Sequence, residues 1–177
     1  YLGTLEPRKN IETIIRAYNC FKKVDKNNIK LVLAGKKGWL YDSIFKLVEE
    51  FGLEEEVIFT DYVDDNDKAA LYQGAEIFLF LSLYEGFGIP VIEAMASKTP
   101  VITSSSSSLP EVAGDAAIIT EPLDYKMISA SIERILNDNG LREKMIAEGV
   151  KQADKFNWDV SAEKLKNIYY DLYYNRI

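Results

Sequence analysis

The chain has no histidine. That absence excludes Ser-His-Asp and Cys-His nucleophile systems, imidazole metal sites and histidine acid–base chemistry together. One cysteine, Cys20, excludes an internal disulfide and any cysteine-based zinc site. Lying among helical residues, it is expected to pack as a small buried hydrophobe rather than to react. No apolar run approaches a membrane-spanning length, and no signal or transit segment is visible. Basic residues are also scarce: 21 Lys and Arg against 28 Asp and Glu leave a net charge of −7. This argues against a nucleic-acid partner, because phosphate backbones want a basic face. Carboxylates, lysines, arginines and backbone are what remain for chemistry.

The 177 residues are enough for one domain with a real core. Strand and helix patterns alternate along it. Tyr1–Leu5 reads as the end of a first strand, so an amino-terminal portion is expected upstream. Asn10 is placed to cap a helix with Ile11, Ile14, Ile15, Tyr18 and Phe21 on one face. Ile29–Ala34 is a strand, and the next helix buries Ile44, Leu47, Val48 and Phe51 before Gly52 stops it. Val57–Thr60, Ile77–Leu81, Val101–Thr103 and Ala116–Thr120 read as further strands, with helices ending near Gln73 and over Pro90–Ser97. From about 124 to 177 a helical extension follows: Met127–Leu136, Leu141–Ala153 and Val160–Tyr174. Continuous apolar strands alternating with helices predict an α/β domain with a Rossmann-like, doubly wound parallel sheet.

The stretch Glu85-Gly-Phe-Gly-Ile-Pro-Val-Ile-Glu93 concentrates the chemistry. A buried strand runs into a glycine turn, Pro90 suits the first helical turn, and the helix start offers bare N–H groups and a partial positive charge for a phosphate. Glu85 can accept from sugar hydroxyls and Glu93 can grip a diol such as a ribose. Phosphate between hydroxyls describes a sugar nucleotide. Taken singly, Glu93 is explained by the helix dipole alone; the joint pattern is what points to a site. Arg8 and Lys9 oppose the dipole of the helix they precede unless an anion sits between, which fits a diphosphate.

Other candidates have plainer readings. Lys36 and Lys37 read as solvated. Asp64-Asp65-Asn66-Asp67 could chelate a metal, but helix capping explains it and no metal site is read. Ser108 and Glu111 match a capping box, and Ser104–Ser108 is a loop at a strand end. Trp39 and Trp158 read as core or interface residues. Leu165, Ile168, Tyr169, Leu172 and Tyr173, widened by Tyr170 and Tyr174, form a stripe that wants a partner surface.

Gly3-Thr-Leu-Glu-Pro-Arg-Lys-Asn10, the Glu85–Glu93 stretch continuing into Ala94-Met-Ala, and Leu109-Pro-Glu-Val-Ala-Gly-Asp115 together resemble the carboxyl-terminal domain of retaining GT-B glycosyltransferases of the family-4 type, which include many mannosyltransferases. The resemblance covers nearly the whole chain. It implies a donor site containing Gly3, Thr4, Arg8, Lys9, Tyr62, Val63, Glu85, Gly86, Phe87, Gly88, Ile89 and Glu93. Arg8 and Lys9 would hold the diphosphate, Glu85 the donor sugar, Gly86–Gly88 sugar and phosphate through backbone amides, and Glu93 the ribose, with Tyr62-Val63 bordering the base. Arg8, Lys9 and Glu85 would be the catalytic groups. Many members carry arginine where this chain has Thr4, which leaves the phosphate clamp to Arg8 and Lys9. The implied reaction moves a sugar from a GDP- or UDP-linked donor, mannose from GDP-mannose, to an acceptor hydroxyl with retention and without a metal or other cofactor. The family's amino-terminal acceptor domain is the expected partner. The fragment by itself is expected to be inactive, and the whole protein to be cytoplasmic and to reach the inner membrane face through that domain. Two alternatives remain: a sugar-nucleotide 2-epimerase of the same architecture, and a nucleotide-binding module without chemistry.

Overall fold

The computed structural model describes residues 1–175. Two parallel sheets carry the fold. The first pairs β1 (Leu31–Ala34) with β2 (Val57–Asp61); the second orders β3 (Phe78–Phe80), β4 (Val101–Ser104) and β5 (Ile118–Thr120). Every residue of β3 and β4 is buried. A strand can be buried at each position only when both faces are covered, which is why these segments read as unbroken apolar runs. β2, at a sheet edge, is exposed over most of its length.

Helices supply the cover. α1 (Ile11–Lys22) turns Ile11, Ile14, Ile15, Tyr18 and Phe21 inward and packs on α2 (Asp42–Glu50) and α6 (Tyr125–Asn137). α4 (Ile89–Ala96) packs on α3 (Asp65–Gln73), α5 (Leu109–Ala113) and α7 (Asn139–Ala153). Short acidic caps start three of these: Asp64, Asp124 and Asp138 accept from the backbone N–H groups of Asn66, Met127 and Leu141 at 2.9–3.0 Å. α2 ends where Gly52, at φ 64°, leaves the helical region.

Several expectations need correction. Tyr1–Leu5 forms no strand. It pairs in parallel through isolated bridges, Leu2 to Ala34 at the end of β1 and Leu5 to Lys37 beyond it, while the Tyr1 ring stacks on Phe80 of β3. Cys20 is half-buried rather than buried. Trp39 and Trp158 are exposed, so of the core and interface readings the core one falls. Ser108 occupies the cap position of α5 but makes no capping bond. The capping box does not form, since the hydroxyl is used elsewhere.

The last helix, α8 (Trp158–Asn175), behaves differently from the others. Leu165, Ile168, Tyr169, Tyr170, Leu172, Tyr173 and Tyr174 are all exposed, as the stripe in the sequence suggested. No helix among the described residues is long and apolar enough to cross a membrane.

Candidate functional site

The charged cluster is built from the turn after Leu5. Pro7 opens a single 3-10 turn, Pro7–Lys9, and Asn10 ends it in the left-handed region at φ 58°. Asparagine tolerates that conformation better than most residues. Its side chain does not cap α1. Instead the buried amide donates to the carbonyls of Leu81, at 3.0 Å, and Pro122, at 2.6 Å, and accepts from Thr13 Oγ1 at 2.7 Å. One residue thereby ties the turn to the end of β3 and to the segment after β5. A backbone bond from Leu83 N to Arg8 O, 2.9 Å, closes the same junction.

With the backbone so fixed, Arg8 and Lys9 meet Glu85. Lys9 Nζ lies 2.6 Å from Glu85 Oε1, and Arg8 donates from Nη1 to Glu85 Oε2 at 3.0 Å. Arg8 also reaches Tyr84 O at 2.8 Å and Glu6 Oε1 at 2.7 Å. Burial pushes the Glu85 carboxyl up, but the ammonium and guanidinium outweigh it and hold the group below its ordinary value. The lysine and glutamate side chains are each only 12 % exposed, whereas Arg8 is 41 % exposed. The three residues assigned separately to sugar and diphosphate are therefore one cluster. Any phosphate approaching these cations must share them with Glu85 and Glu6.

The turn that carries Glu85 is held from the serine loop. Glu85 N donates to Ser107 Oγ at 2.9 Å, and Ser108 Oγ lies 3.0 Å from Glu85 O and 2.6 Å from Phe87 O. Gly88, the residue before α4, sits at φ 122°, and a Cβ there would come 2.8 Å from Leu109 Cδ2. Only glycine fits. Gly86 has neither constraint: its φ is ordinary and a Cβ would meet open space. The sharp turn expected of both glycines is made by Gly88 alone. Phe87 and Ile89 are exposed, with Phe87 edge-on to Phe156 at 5.6 Å.

Gly3, Thr4, Tyr62, Val63 and Glu93 line one cleft of about 290 Å³ at the same edge of the sheets. A register shift near Ala34 and a left-handed Asp61, φ 60°, turn the chain out of β2 and expose Tyr62. Lys36 lies over the Tyr62 ring at 4.4 Å from its centroid, and Lys37 over Phe45 at 4.9 Å. Both lysines are exposed, yet each rests on an aromatic face rather than standing free in solvent. Glu93 accepts from the Tyr72 hydroxyl at 2.9 Å. A larger cleft, about 320 Å³, opens at the amino ends of the strands beside Leu31, Leu79 and Ile132. It lies at the wrong edge for an open parallel sheet, where ligands sit beyond the carboxyl ends.

An acid clamped by two cations, a glycine-forced helix start and a second acid in a cleft occupy one edge. The sequence profile described as Glycosyl transferases group 1 matches residues 1–152. The chain belongs to that family. The O-antigen chain mannosyltransferase B of Escherichia coli is 40% identical to the group 1 domain over 169 residues, covering 96% of this chain and 44% of that protein. Sucrose-phosphate synthase from Thermosynechococcus elongatus superposes with a TM-score of 0.87 at 29% identity, covering 98% of this chain and 44% of that one. Anabaena Alr3699/HepE, solved in complex with UDP, gives 0.86 at 17% identity, covering 97% and 48%, a likeness of fold alone. The group 1 domain thus spans less than half the length of the relatives it matches.

Sequence reasoning missed Tyr72, the anchoring role of Asn10, and the serines that hold the Glu85 turn. Tyr72 carried no signal beyond an aromatic at helical spacing. Asn10 did carry one, since an asparagine after Pro-Arg-Lys is a left-handed turn candidate as much as a cap.

Proposed function

We infer that this chain is the donor-binding domain of a retaining glycosyltransferase, taking mannose from GDP-mannose to an acceptor hydroxyl. The observation that carries the reading is the Lys9–Glu85–Arg8 cluster just ahead of the Gly88-started helix. A leaving nucleoside diphosphate develops charge that two held cations and a helix start stabilise. Glu85 faces the sugar and Glu93 the ribose, with Gly3, Thr4, Tyr62, Val63 and the backbone from Gly86 to Ile89 around the remainder. The name of the Escherichia coli relative supports mannose, and the UDP complex of the Anabaena neighbour supports a nucleotide in this fold. Arg8 and Lys9 share their charge between the diphosphate and Glu85 and Glu6, the helix start adds N–H donors, and the reading invokes no metal. The acceptor and the remaining catalytic groups belong to an amino-terminal domain of the whole protein, which works in the cytoplasm and meets the inner membrane face through that domain.

Calorimetric titration with GDP and UDP, with and without a chelator, tests this. Binding of GDP in preference to UDP, unchanged by chelator, is expected. Affinity that disappears with chelator would return a metal to Asp65 and Asp67. The chain alone should show no transfer, and turnover by residues 1–177 would refute the assignment of missing groups to another domain.

A further inference from the structure

Tyr72 lies in the last turns of α3, and its ring is 2 % exposed. Two contacts independent of the hydroxyl hold the residue. Its ring stands edge-on to Phe78, 5.1 Å between centroids, and its backbone carbonyl accepts from the buried Thr99 hydroxyl at 2.7 Å. The phenol oxygen is therefore delivered to one place, 2.9 Å from Glu93 Oε2. A carboxylate can only accept, so the tyrosine donates. Burial, reinforced by the neighbouring Glu93 charge, pushes the phenol far above its ordinary pKa, so the donor keeps its proton through the neutral range.

Glu93 has a long, flexible side chain on a cleft wall, and gripping a ligand would cost it rotamer freedom. Among the described residues, the Tyr72 bond is the only hydrogen bond its carboxylate makes. That bond fixes one oxygen and, because an ionised carboxylate has about four lone-pair sites, leaves acceptor capacity on both oxygens for the cleft. Resting on the nucleotide-sugar reading above, we propose that Tyr72 is a positioning residue that aims Glu93 at the ribose cis-diol, so that preference for ribonucleotides over 2′-deoxyribonucleotides depends on the Tyr72 hydroxyl. Fixing an acceptor before the ligand arrives is how preorganisation raises affinity.

The test is titration of GDP against dGDP, with UDP against dUDP in parallel. The wild-type chain should favour the ribonucleotide by roughly tenfold, the range of one hydrogen bond to a charged group. Tyr72→Phe removes one oxygen and leaves the packing. It should bind the deoxynucleotide as before and reduce the preference to about threefold or less. Tyr72→Leu, a second hydroxyl-free variant, should lose the same preference if the phenylalanine variant folds poorly. In the Glu93→Gln background, Tyr72→Phe should cost nothing more, because the tyrosine acts only through that carboxylate. A Tyr72→Phe variant that keeps the full ribose preference overturns the proposal, as does an additive loss in the double variant. If the wild-type chain binds neither GDP nor UDP, the nucleotide-sugar reading itself fails and the positioning role falls with it.

Discussion

Glu85 and Glu93 bracket the same turn but live in unlike surroundings. Glu85 is gripped by an ammonium and a guanidinium and is mostly enclosed. Glu93 is held by a single neutral hydroxyl on the wall of an open cleft. The difference teaches that two identical residues in one motif can belong to different parts of the energy balance. Removing a partner from Glu85 leaves an enclosed charge uncompensated. Removing Glu93 leaves only the neutral Tyr72 hydroxyl without its acceptor.

The sharpest way to break the contrast is Lys9→Met. It strips the closer of the two cations from a carboxylate with little solvent, and should cost about 2 kcal/mol of stability, below the fully buried range because Arg8 remains. Chemical denaturation measures it, and a loss under about 0.5 kcal/mol would mean the pair is far better solvated than its geometry implies. Glu93→Ala comes next. Nucleoside diphosphate affinity should fall by about 1.5 kcal/mol and stability by about 1 kcal/mol, because the enclosed Tyr72 hydroxyl loses its acceptor. Glu85→Ala, by comparison, should spoil discrimination among sugars on the donor more than binding of the bare diphosphate. Equal losses for GDP in both variants would erase the distinction between the two acids.

Acid supplies a subtler probe. The folded Glu85 carboxyl titrates below its unfolded value of about 4.5. Its contribution is thus fully present above that value and is lost as pH falls through the lower folded one. Asp25, through the backbone N–H groups of Asn27 and Ile29 and through Lys22, and Glu56, through Lys22 and Lys30, are also held low, so total acid sensitivity does not isolate the cluster. The difference between the parent and Glu85→Gln does: the two stability curves should stand fully apart above about pH 4.5 and converge only as pH falls through the lowered folded value. Parallel curves would show that the cluster's charges are not what stabilises Glu85. The smallest effect is reserved for Glu6→Gln. Its partner Arg8 is 41 % exposed, so the pair should be worth under about 0.5 kcal/mol.

The order of elements was legible because it depends on local pattern. Ile77–Leu81 read as a doubly covered strand because a continuous apolar run has no face to give to water, and its central residues Phe78–Phe80 are the buried β3. The Glu85–Glu93 turn was legible because strand, glycine, proline and acid are adjacent in the chain. Tyr72 was not, because its partner is supplied by a different helix, and nothing in a lone tyrosine says whether its hydroxyl has company. The core half of the tryptophan reading failed for the same reason in reverse. Burial is decided by what packs on a residue, and Trp39 and Trp158 simply have nothing on them. The stripe on α8 succeeded because it was read as more apolar surface than one sheet covers, and it is indeed uncovered. The roles of the site residues depend on ligands, and no spacing in the chain can supply those.

Asn10 carries a kinetic consequence. Its amide closes contacts to Leu81 and Pro122 across sequence separations of 71 and 112 residues. Such distant closures come at the end of folding, since the chain between must already be ordered before they are rewarded. Lys9 can find Glu85 only after that junction exists. The edge that holds Lys9 and Glu85 is therefore expected to assemble late, and in stopped-flow refolding nucleotide affinity should return after the helical signal; simultaneous recovery would contradict this order.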